Sequence, residues 1–362
     1  MSKAFSIEIK DLTVKIEGQC LIDNASLNVE NGEFLALLGK SGSGKTTLLR
    51  SLAGFIKPKK GSITLQGINV NNIPPENRPI SMLFQTPVLF PHLTVEKNAK
   101  IGLSKESQIA LKEYNIKTLI NLFSLSDTKK RKIKKGLSGG EVQRAALLRT
   151  FANAKDILLL DEPLKSALNV ELRWQLMRSI KLLRNNQKYT TILVTHDFEE
   201  ASFLADNLAV IVNGKIYKYS AFEMYNNPPN LEIAKVIGPG TEIDIEILFN
   251  RNLREVNCPF TWEKNIEPRI PTNADKIYIR PKAVELVKDG YGFFVKDKKF
   301  MGEYWLIEIY SKVRRNDKSQ QFLISQQAEP VIDVDKEVGA RLITNELLYF
   351  DSDNVIVNRG DK

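Results

Sequence analysis

Two cysteines, Cys20 and Cys258, and two histidines, His92 and His196, are all that 362 residues offer of the softer metal ligands. So few build neither a disulfide framework nor a Cys/His metal cluster, and such sparing use of cysteine fits a reducing cytoplasm. Long apolar runs are missing too. Ile157 to Leu160 and Leu208 to Val212 fall far short of the roughly 20 residues that span a bilayer, so any work at a membrane is expected to pass through a partner. Met1 to Lys10 alternates polar and apolar residues like a strand and lacks a signal-peptide pattern. Acidic residues are outnumbered, 43 against 52 Lys and Arg, for a formal charge of +9. A basic surplus suits nucleic acid or an anionic surface. The densest run, Lys129-Lys130-Arg131-Lys132-Ile133-Lys134-Lys135, interleaves no aromatic for base stacking and reads as a solvated loop or helix end.

What is present is a globular composition, 43% hydrophobic and 26% charged, in a chain long enough for two domains. One stretch organises it. The apolar run Phe34 to Leu38 leads into Gly39-Lys40-Ser41-Gly42-Ser43-Gly44-Lys45-Thr46 and then, from Thr47 to Ala53, into a helical pattern. Strand, glycine loop and helix in that order form a phosphate cradle: the backbone turns its N–H groups inward and the helix N-terminus adds positive potential. Lys45 is placed for β- and γ-phosphates and the Thr46 hydroxyl for Mg²⁺. A Gly/Ser-rich surface turn is the bland alternative, and it does not explain why strand, spacing and helix occur together.

Taken in order, Phe5 to Val14 and Ala25 to Val29 read as strands before the buried strand 34–38, and Ser62 to Leu65 and Ile80 to Phe84 as strands after it, the last ending on Gln85. From about 103 to 152 the period becomes helical, with Ile109, Leu111, Ile116, Leu119, Ile120 and Phe123 as an apolar stripe. Within that insertion, Leu137-Ser138-Gly139-Gly140-Glu141 opens a helix and offers a second, weaker anion site. Asp156 to Leu160 is a buried strand that ends in Asp161-Glu162-Pro163, and Thr190 to Val194 another that ends in Thr195-His196-Asp197. Carboxylates and an imidazole at the carboxyl ends of parallel strands sit where α/β sheets carry out their chemistry. A helix cap would explain one of the two carboxylates, not both. A domain boundary is expected near Ile237-Gly238-Pro239-Gly240, and the alternating segments beyond it, 243–249, 276–279, 293–295, 304–310, 321–324 and 354–357, predict a small all-β domain with no catalytic constellation.

By Gly39 to Thr46, Gln85, Leu137 to Glu141, Asp161-Glu162 and His196, the chain resembles the nucleotide-binding subunits of ATP-binding-cassette (ABC) transporters over roughly residues 5 to 237. The segments Ile73 to Ile80 and Phe84 to Val95 are similar to those of importer ATPases for polyamines, ferric iron, thiamine, sulfate or molybdate. The resemblance implies an α/β P-loop NTPase of ABC type with antiparallel β and helical subdomains (1–238, insertion 103–152), followed by an OB-like regulatory or dimerisation domain (239–362). It implies that Gly39, Lys40, Ser41, Gly42, Ser43, Gly44, Lys45, Thr46 and Thr47 bind ATP, and that Thr46, Gln85 and Asp161 serve Mg²⁺. Glu162 would polarise the attacking water and His196 contact the γ-phosphate, with Glu162, His196 and Gln85 as the catalytic set. Ser138, Gly139 and Gly140 would reach the nucleotide of a second copy in a head-to-tail homodimer. Expected partners are transmembrane permease subunits and, through them, a periplasmic or surface solute-binding protein, with the chain peripheral on the cytoplasmic face of the membrane. Three departures stand out: Ile16 where an adenine-stacking aromatic is usual, one additional residue in Leu164-Lys165-Ser166-Ala167-Leu168-Asn169 with Asn replacing Asp, and Glu141 where Gln is commoner. Competing classes are a cassette acting on nucleic acid or ribosomes and a weakly hydrolysing regulatory subunit. One phosphate loop, and only about 90 residues between it and Ser138, argue against the first, so no nucleic-acid partner is expected.

Overall fold

The computed structural model describes residues 5–103, 115–133, 136–165, 167, 169–187, 189–245, 260–262, 271–287, 293–300, 305–311, 321–326, 334, 336–343 and 346–357. The expected helical positions Ile109 and Leu111, the end of the basic run at Lys134 and Lys135, Ser166, Leu168 and the strand residues 246–249 lie outside them. The chain divides into two compact units, Met1–Ala221 and Phe222–Lys362.

The first unit holds a six-stranded sheet whose order runs Lys215–Tyr219, Asn207–Val212, Phe34–Leu38, Thr190–Val194, Ile157–Asp161, Ile80–Leu83. All neighbours are parallel except the antiparallel hairpin at one edge, closed at Asn213-Gly214. Every residue of Phe34–Leu38, Ile157–Asp161 and Thr190–Val194 is buried, because both faces of a parallel sheet are covered; the polar ones, Asp161, Thr190 and Thr191, stand at strand ends. Strand periodicity sorts them between two cores. Leu35, Leu37, Ile157 and Leu159 face one way, against Leu48, Leu49 and Leu52 of helix Lys45–Ala53 and against Ile7, Ile9, Leu12 and Leu27. Those last four belong to a four-stranded antiparallel sheet of Phe5–Ile16, Gln19–Glu30, Lys60–Leu65 and Ile68–Asn69. Phe34, Leu158, Leu160 and Leu193 face the other way, against helices Ile116–Leu122, Gly139–Ala152 and Val170–Gln187. The helix after the phosphate loop stops at Gly54 as its sequence predicts.

The second unit is a three-stranded sheet, Thr241–Asp244, Lys276–Ile279 and Leu348–Phe350, and a larger sheet that includes Phe293–Phe300, Trp305–Ser311, Gln321–Gln326 and Glu337–Leu342. Alternate residues (Phe293, Val295; Ile307, Ile309; Phe322, Ile324; Val338, Ala340, Leu342) fill its core, the half-buried pattern read from the sequence. Helix Leu231–Ile237, counted with the first domain on sequence grounds, packs Leu231 and Ala234 on Tyr278, Leu348 and Phe350. Leu231 N–H also donates to Asn354 O at 3.0 Å, so this helix is packed within the second compact unit, Phe222–Lys362. No helix among the described residues is long and apolar enough to cross a membrane.

Two charged groups hold these units internally. Arg78, 3% exposed, donates to four main-chain carbonyls: Ile73 (2.9 Å), Val70 (2.7 Å), Ser51 (2.9 Å) and Leu52 (2.6 Å). The last two are end carbonyls of helix Lys45–Ala53, at its negative pole, and Ser51 O also accepts from Gly54 N–H at 3.2 Å. Arg78→Met is expected to lower the first unit's stability by about 3–5 kcal/mol, since four buried acceptors lose a cation, read as a fall in the urea midpoint of the full chain. In the second unit Glu242 pairs with Lys235 (2.8 Å) and Lys276 (2.9 Å). Burial would raise its pKa, but these two ammonium groups hold the carboxyl below its ordinary 4.5. A depressed carboxyl stabilises the fold above its unfolded pKa and loses that contribution as pH falls through the folded one. Glu242→Gln is therefore expected to cost about 1 kcal/mol at pH 7, limited by solvent screening, with the difference from wild type in thermal melts starting to shrink as pH falls below about 4.3.

Candidate functional site

Four strands, Phe34–Leu38, Ile80–Leu83, Ile157–Asp161 and Thr190–Val194, run parallel and end on one edge of the sheet. The chain turns there because the residues after each strand cannot continue it. A Cβ on Gly39, at φ 155°, would meet Ser43 Oγ at 2.5 Å and Ile211 O at 2.8 Å; one on Gly44, at φ 102°, would meet Leu21 O at 2.8 Å. Only glycine closes this loop. Inside it, Lys45 Nζ donates to Gly39 O (2.7 Å) and Lys40 O (2.8 Å), and Lys45 is 8% exposed. Burial pushes its pKa down while Glu162 and Asp161 oppose the shift. Ser43 Oγ is buried with no hydrogen-bond partner, a polar atom left for an anion in the cradle. Lys40 and Ser41 are exposed on the loop, and Thr47 is buried at the first helical turn with its carbonyl accepting from Ser51 Oγ.

Asp161, 1% exposed, closes strand Ile157–Asp161, which is separated from Phe34–Leu38 by Thr190–Val194, and accepts from Thr46 Oγ1 at 3.3 Å. Burial raises its pKa, Glu162 adds to the rise, and the Thr46 hydroxyl, Arg50 and Lys45 counter it. Glu162 adopts φ 48°, unusual for a residue with a Cβ, and its N–H donates to Val194 O at 3.0 Å. That turn swings the carboxylate over the edge, where Oε2 accepts from Gln85 Nε2 (2.8 Å) and Lys165 Nζ (2.6 Å), and Oε1 lies 3.6 Å from His196 Nδ1. Burial alone would raise the Glu162 pKa, yet the Lys165 and Gln85 hydrogen bonds bring it below the ordinary value. Gln85, Thr46, Asp161, Glu162, Lys45 and His196, chosen from separate stretches of sequence, thus converge on one edge.

The Ser138 turn stands apart. Ser138 caps helix Gly139–Ala152 in a closed capping box: its N–H and Oγ donate to Glu141 Oε2 (2.7 and 3.0 Å), and Glu141 N–H donates back to Ser138 Oγ (3.3 Å). Hydrogen bonds of Ser138 among the described residues run to its own helix, not to the phosphate loop. Ile16 ends its strand opposite Gln19, 36% exposed.

Two groups escaped the sequence reading. Lys165 had no signal, because its reach to Glu162 depends on the left-handed turn at Glu162. The second is a network behind His196: Arg173 pairs with Asp197 and Glu200, Glu200 accepts from Thr195 Oγ1 at 2.6 Å, and Asp197 caps helix Phe198–Leu204. An Asp two to three residues before Glu199-Glu200 at a helix start was its available signal. Beside Gln85 a cleft of about 230 Å³ is lined by Met82, Phe84, Val88, Ala146, Arg149 and Asn153 among others. Val88 is 66% exposed at its rim, and Arg149 lies 5.0 Å over the Phe90 ring.

A glycine loop between a buried parallel strand and a helix, with a carboxylate at the end of the next strand but one brought beside the loop's threonine, is the arrangement of a P-loop NTPase. Residues 22–165 match the family model described as ABC transporter. The chain is 36% identical over 319 residues to the spermidine/putrescine import ATP-binding protein PotA of Spiroplasma citri, covering 85% of this chain and 89% of that one. It is 36% identical over 308 residues to the Fe(3+) ions import ATP-binding protein FbpC of Fusobacterium nucleatum, covering 82% and 81%. Among solved structures, a dimeric post-hydrolysis state of an ATP-binding cassette bound to ADP and Pi aligns with TM-score 0.51 and 27% identity, over 59% of this chain and 98% of that one. This chain belongs to the ABC transporter family, as one of its import ATP-binding proteins: the ATPase subunit of an import system.

Proposed function

We propose that the chain energises uptake of a polyamine by hydrolysing Mg-ATP at the edge formed by Lys45, Thr46, Gln85, Asp161, Glu162 and His196. The observation that carries it is the convergence of Thr46 on Asp161 and of Gln85 on Glu162. Gly39 to Thr47 cradle the phosphates, with Lys45 leaving the loop carbonyls for the β- and γ-oxygens. Among the described residues no group of three His, Cys, Asp or Glu could hold a metal by itself. The Thr46 hydroxyl, the Asp161 carboxylate and the Gln85 amide are hard oxygen donors, which suit a Mg²⁺ that draws its other ligands from phosphate and water. A Mg²⁺ held by them would supply charge neutralisation to the phosphates. Phosphoryl transfer otherwise needs an oriented water and a dry, charge-compensated cleft. Glu162 orients the water and His196 meets the γ-phosphate.

The site is completed by a second copy placed head to tail, whose Ser138, Gly139 and Gly140 close over the nucleotide; the dimeric state of the related cassette supports this arrangement. The cleft beside Gln85, rimmed by Val88 and Phe90, receives a permease, so the chain sits peripherally on the cytoplasmic face of the membrane and serves a solute-binding protein through that permease. Residues 1–238 carry the ATPase and 239–362 a regulatory or dimerising role. Polyamine is favoured by the spermidine/putrescine relative, and ferric iron is the second reading, favoured by the Fe(3+) relative at the same identity.

With its permease in vesicles, Glu162→Gln is expected to bind ATP as wild type does and to lose turnover by about 10²-fold or more, together with uptake of labelled spermidine. Uptake of ferric iron instead of spermidine by the wild-type complex would replace the first substrate by the second. Ile16 offers apolar contact where an aromatic would stack, and stacking is worth about 1–3 kcal/mol per base. ATP and GTP are therefore expected to compete for the chain within about fivefold of each other; a large preference for ATP in that competition would show that another residue reads the base.

A further inference from the structure

We propose that Lys165 is a positioning residue for hydrolysis: its ammonium, together with the Gln85 amide, fixes Oε2 of Glu162 so that Oε1 is the oxygen presented to the attacking water. This rests on the assignment of Glu162 as the water-orienting group. The two carboxylate oxygens are not equivalent. Oε2 accepts two short hydrogen bonds, from Lys165 Nζ at 2.6 Å and Gln85 Nε2 at 2.8 Å. Among the described residues Oε1 has only His196 Nδ1 at 3.6 Å, beyond hydrogen-bond distance. A carboxylate has about four lone-pair positions, and here the filled ones lie on one oxygen. The open pair on Oε1 faces the side of the edge where His196 stands.

Geometry supplies the reason that this pair differs from an ordinary surface ion pair. Glu162 is 15% exposed at its side chain while Lys165 is 56% exposed, so the lysine comes from solvent to a carboxylate already held in the fold. The backbone of Glu162 is pinned by its φ of 48° and its N–H bond to Val194 O. What remains free is rotation about the last side-chain bond, which is broad and two-fold for a glutamate and exchanges the two oxygens. One amide donor from Gln85 restrains that rotation weakly; a charge-assisted bond at the same oxygen is about twice as strong. Lys165 itself is carried by the turn after Pro163, where Lys165 N–H points to Glu162 O at 3.4 Å and Ala167 N–H donates to Leu164 O at 2.9 Å. In the step so oriented, the water oxygen bonds to Pγ and the bond from Pγ to the β–γ bridging oxygen breaks. Its electron pair leaves on ADP, and the water proton passes to Oε1.

The test compares Lys165→Met, Lys165→Arg and Glu162→Gln in the full transporter, reading equilibrium ATP binding and the single-turnover rate separately. Lys165→Met is expected to bind ATP within about twofold of wild type and to hydrolyse it about tenfold more slowly. Lys165→Arg, which restores a cationic donor, is expected to recover the rate to within about threefold. Wild-type rates in Lys165→Met, or equal losses in the Met and Arg variants, overturn the role of Lys165 while an inactive Glu162→Gln leaves the reading beneath it standing. A Glu162→Gln protein that turns over at the wild-type rate overturns that reading itself. Because Lys165 is more than half exposed, its replacement leaves the fold intact, and retained ATP binding verifies this in the same samples.

Discussion

Asp161 is a carboxylate with 1% of its surface exposed, at the end of a strand of four apolar residues, and the rest of the site is arranged to make that tolerable. Isolated in an apolar sheet such a group would pick up a proton. Three features prevent isolation: the Thr46 hydroxyl at 3.3 Å, Lys45 one residue earlier in the same helix, and the strand end itself, which opens to the loops. The same constraint runs in reverse for Lys45, whose burial lowers its pKa while Asp161 and Glu162 hold its proton on. Each buried charge thus offsets part of the other's burial, alongside Glu162 for the lysine and Arg50 for the aspartate. A polyphosphate entering the cradle adds negative charge beside two carboxylates, which is why the loop must also bring N–H groups, a helix pole and a hydroxyl to the same place.

Much of this was legible in the chain because the constraints are local. The run Phe34 to Leu38 had to be a doubly buried strand, since no polar residue interrupts it, and the helix that follows ends at Gly54 where its sequence predicts. Leu35 and Leu37 facing one core and Phe34 the other follow from strand periodicity alone. The convergence of Gln85, Asp161, Glu162 and His196 was legible at one remove: each ends a strand, and parallel strands end together. What could not be read was side-chain reach. Lys165 touches Glu162 only because Glu162 takes a left-handed turn, a conformation that a glutamate seldom adopts and that no spacing announces. The packing of the helix before Gly238 was illegible for a related reason. Leu231 and Ala234 look like the tail of a helical region, and their burial against Tyr278, Leu348 and Phe350 is set by residues more than forty positions away.

Two of the departures from the family pattern acquire a physical meaning. Asn169 accepts from Leu172 N–H at 3.1 Å at the start of helix Val170–Gln187. Asn and Asp cap helices about equally well, so the exchange keeps the helix start and removes one negative charge. Glu141 does the converse. Its carboxylate completes the capping box and is held below the ordinary range by the Ser138 N–H, with the Ser138 hydroxyl, Arg144 and Arg131 acting in the same direction against burial. Gln could make the same box, so the box does not require the charge. The charge is partly offset by Arg144 on the same helix and, more weakly, by Arg131 of the basic run.

That compensation bears on how a turn with a fixed negative charge could approach a nucleotide. Ser138 presents its hydroxyl and N–H to Glu141, and both would have to be shared or surrendered for a phosphate to bind there. A helix N-terminus offers further N–H groups, from Gly139 and Gly140, whose lack of side chains leaves them open; a Cβ on Gly139 would meet nothing within 4 Å. In the proposed dimer the glycines would supply what the serine, tied into its box, holds back, on a first turn held by that capping box. Rigidity at this turn matters more than any one hydrogen bond, since a pre-ordered donor set loses little entropy when an anion arrives.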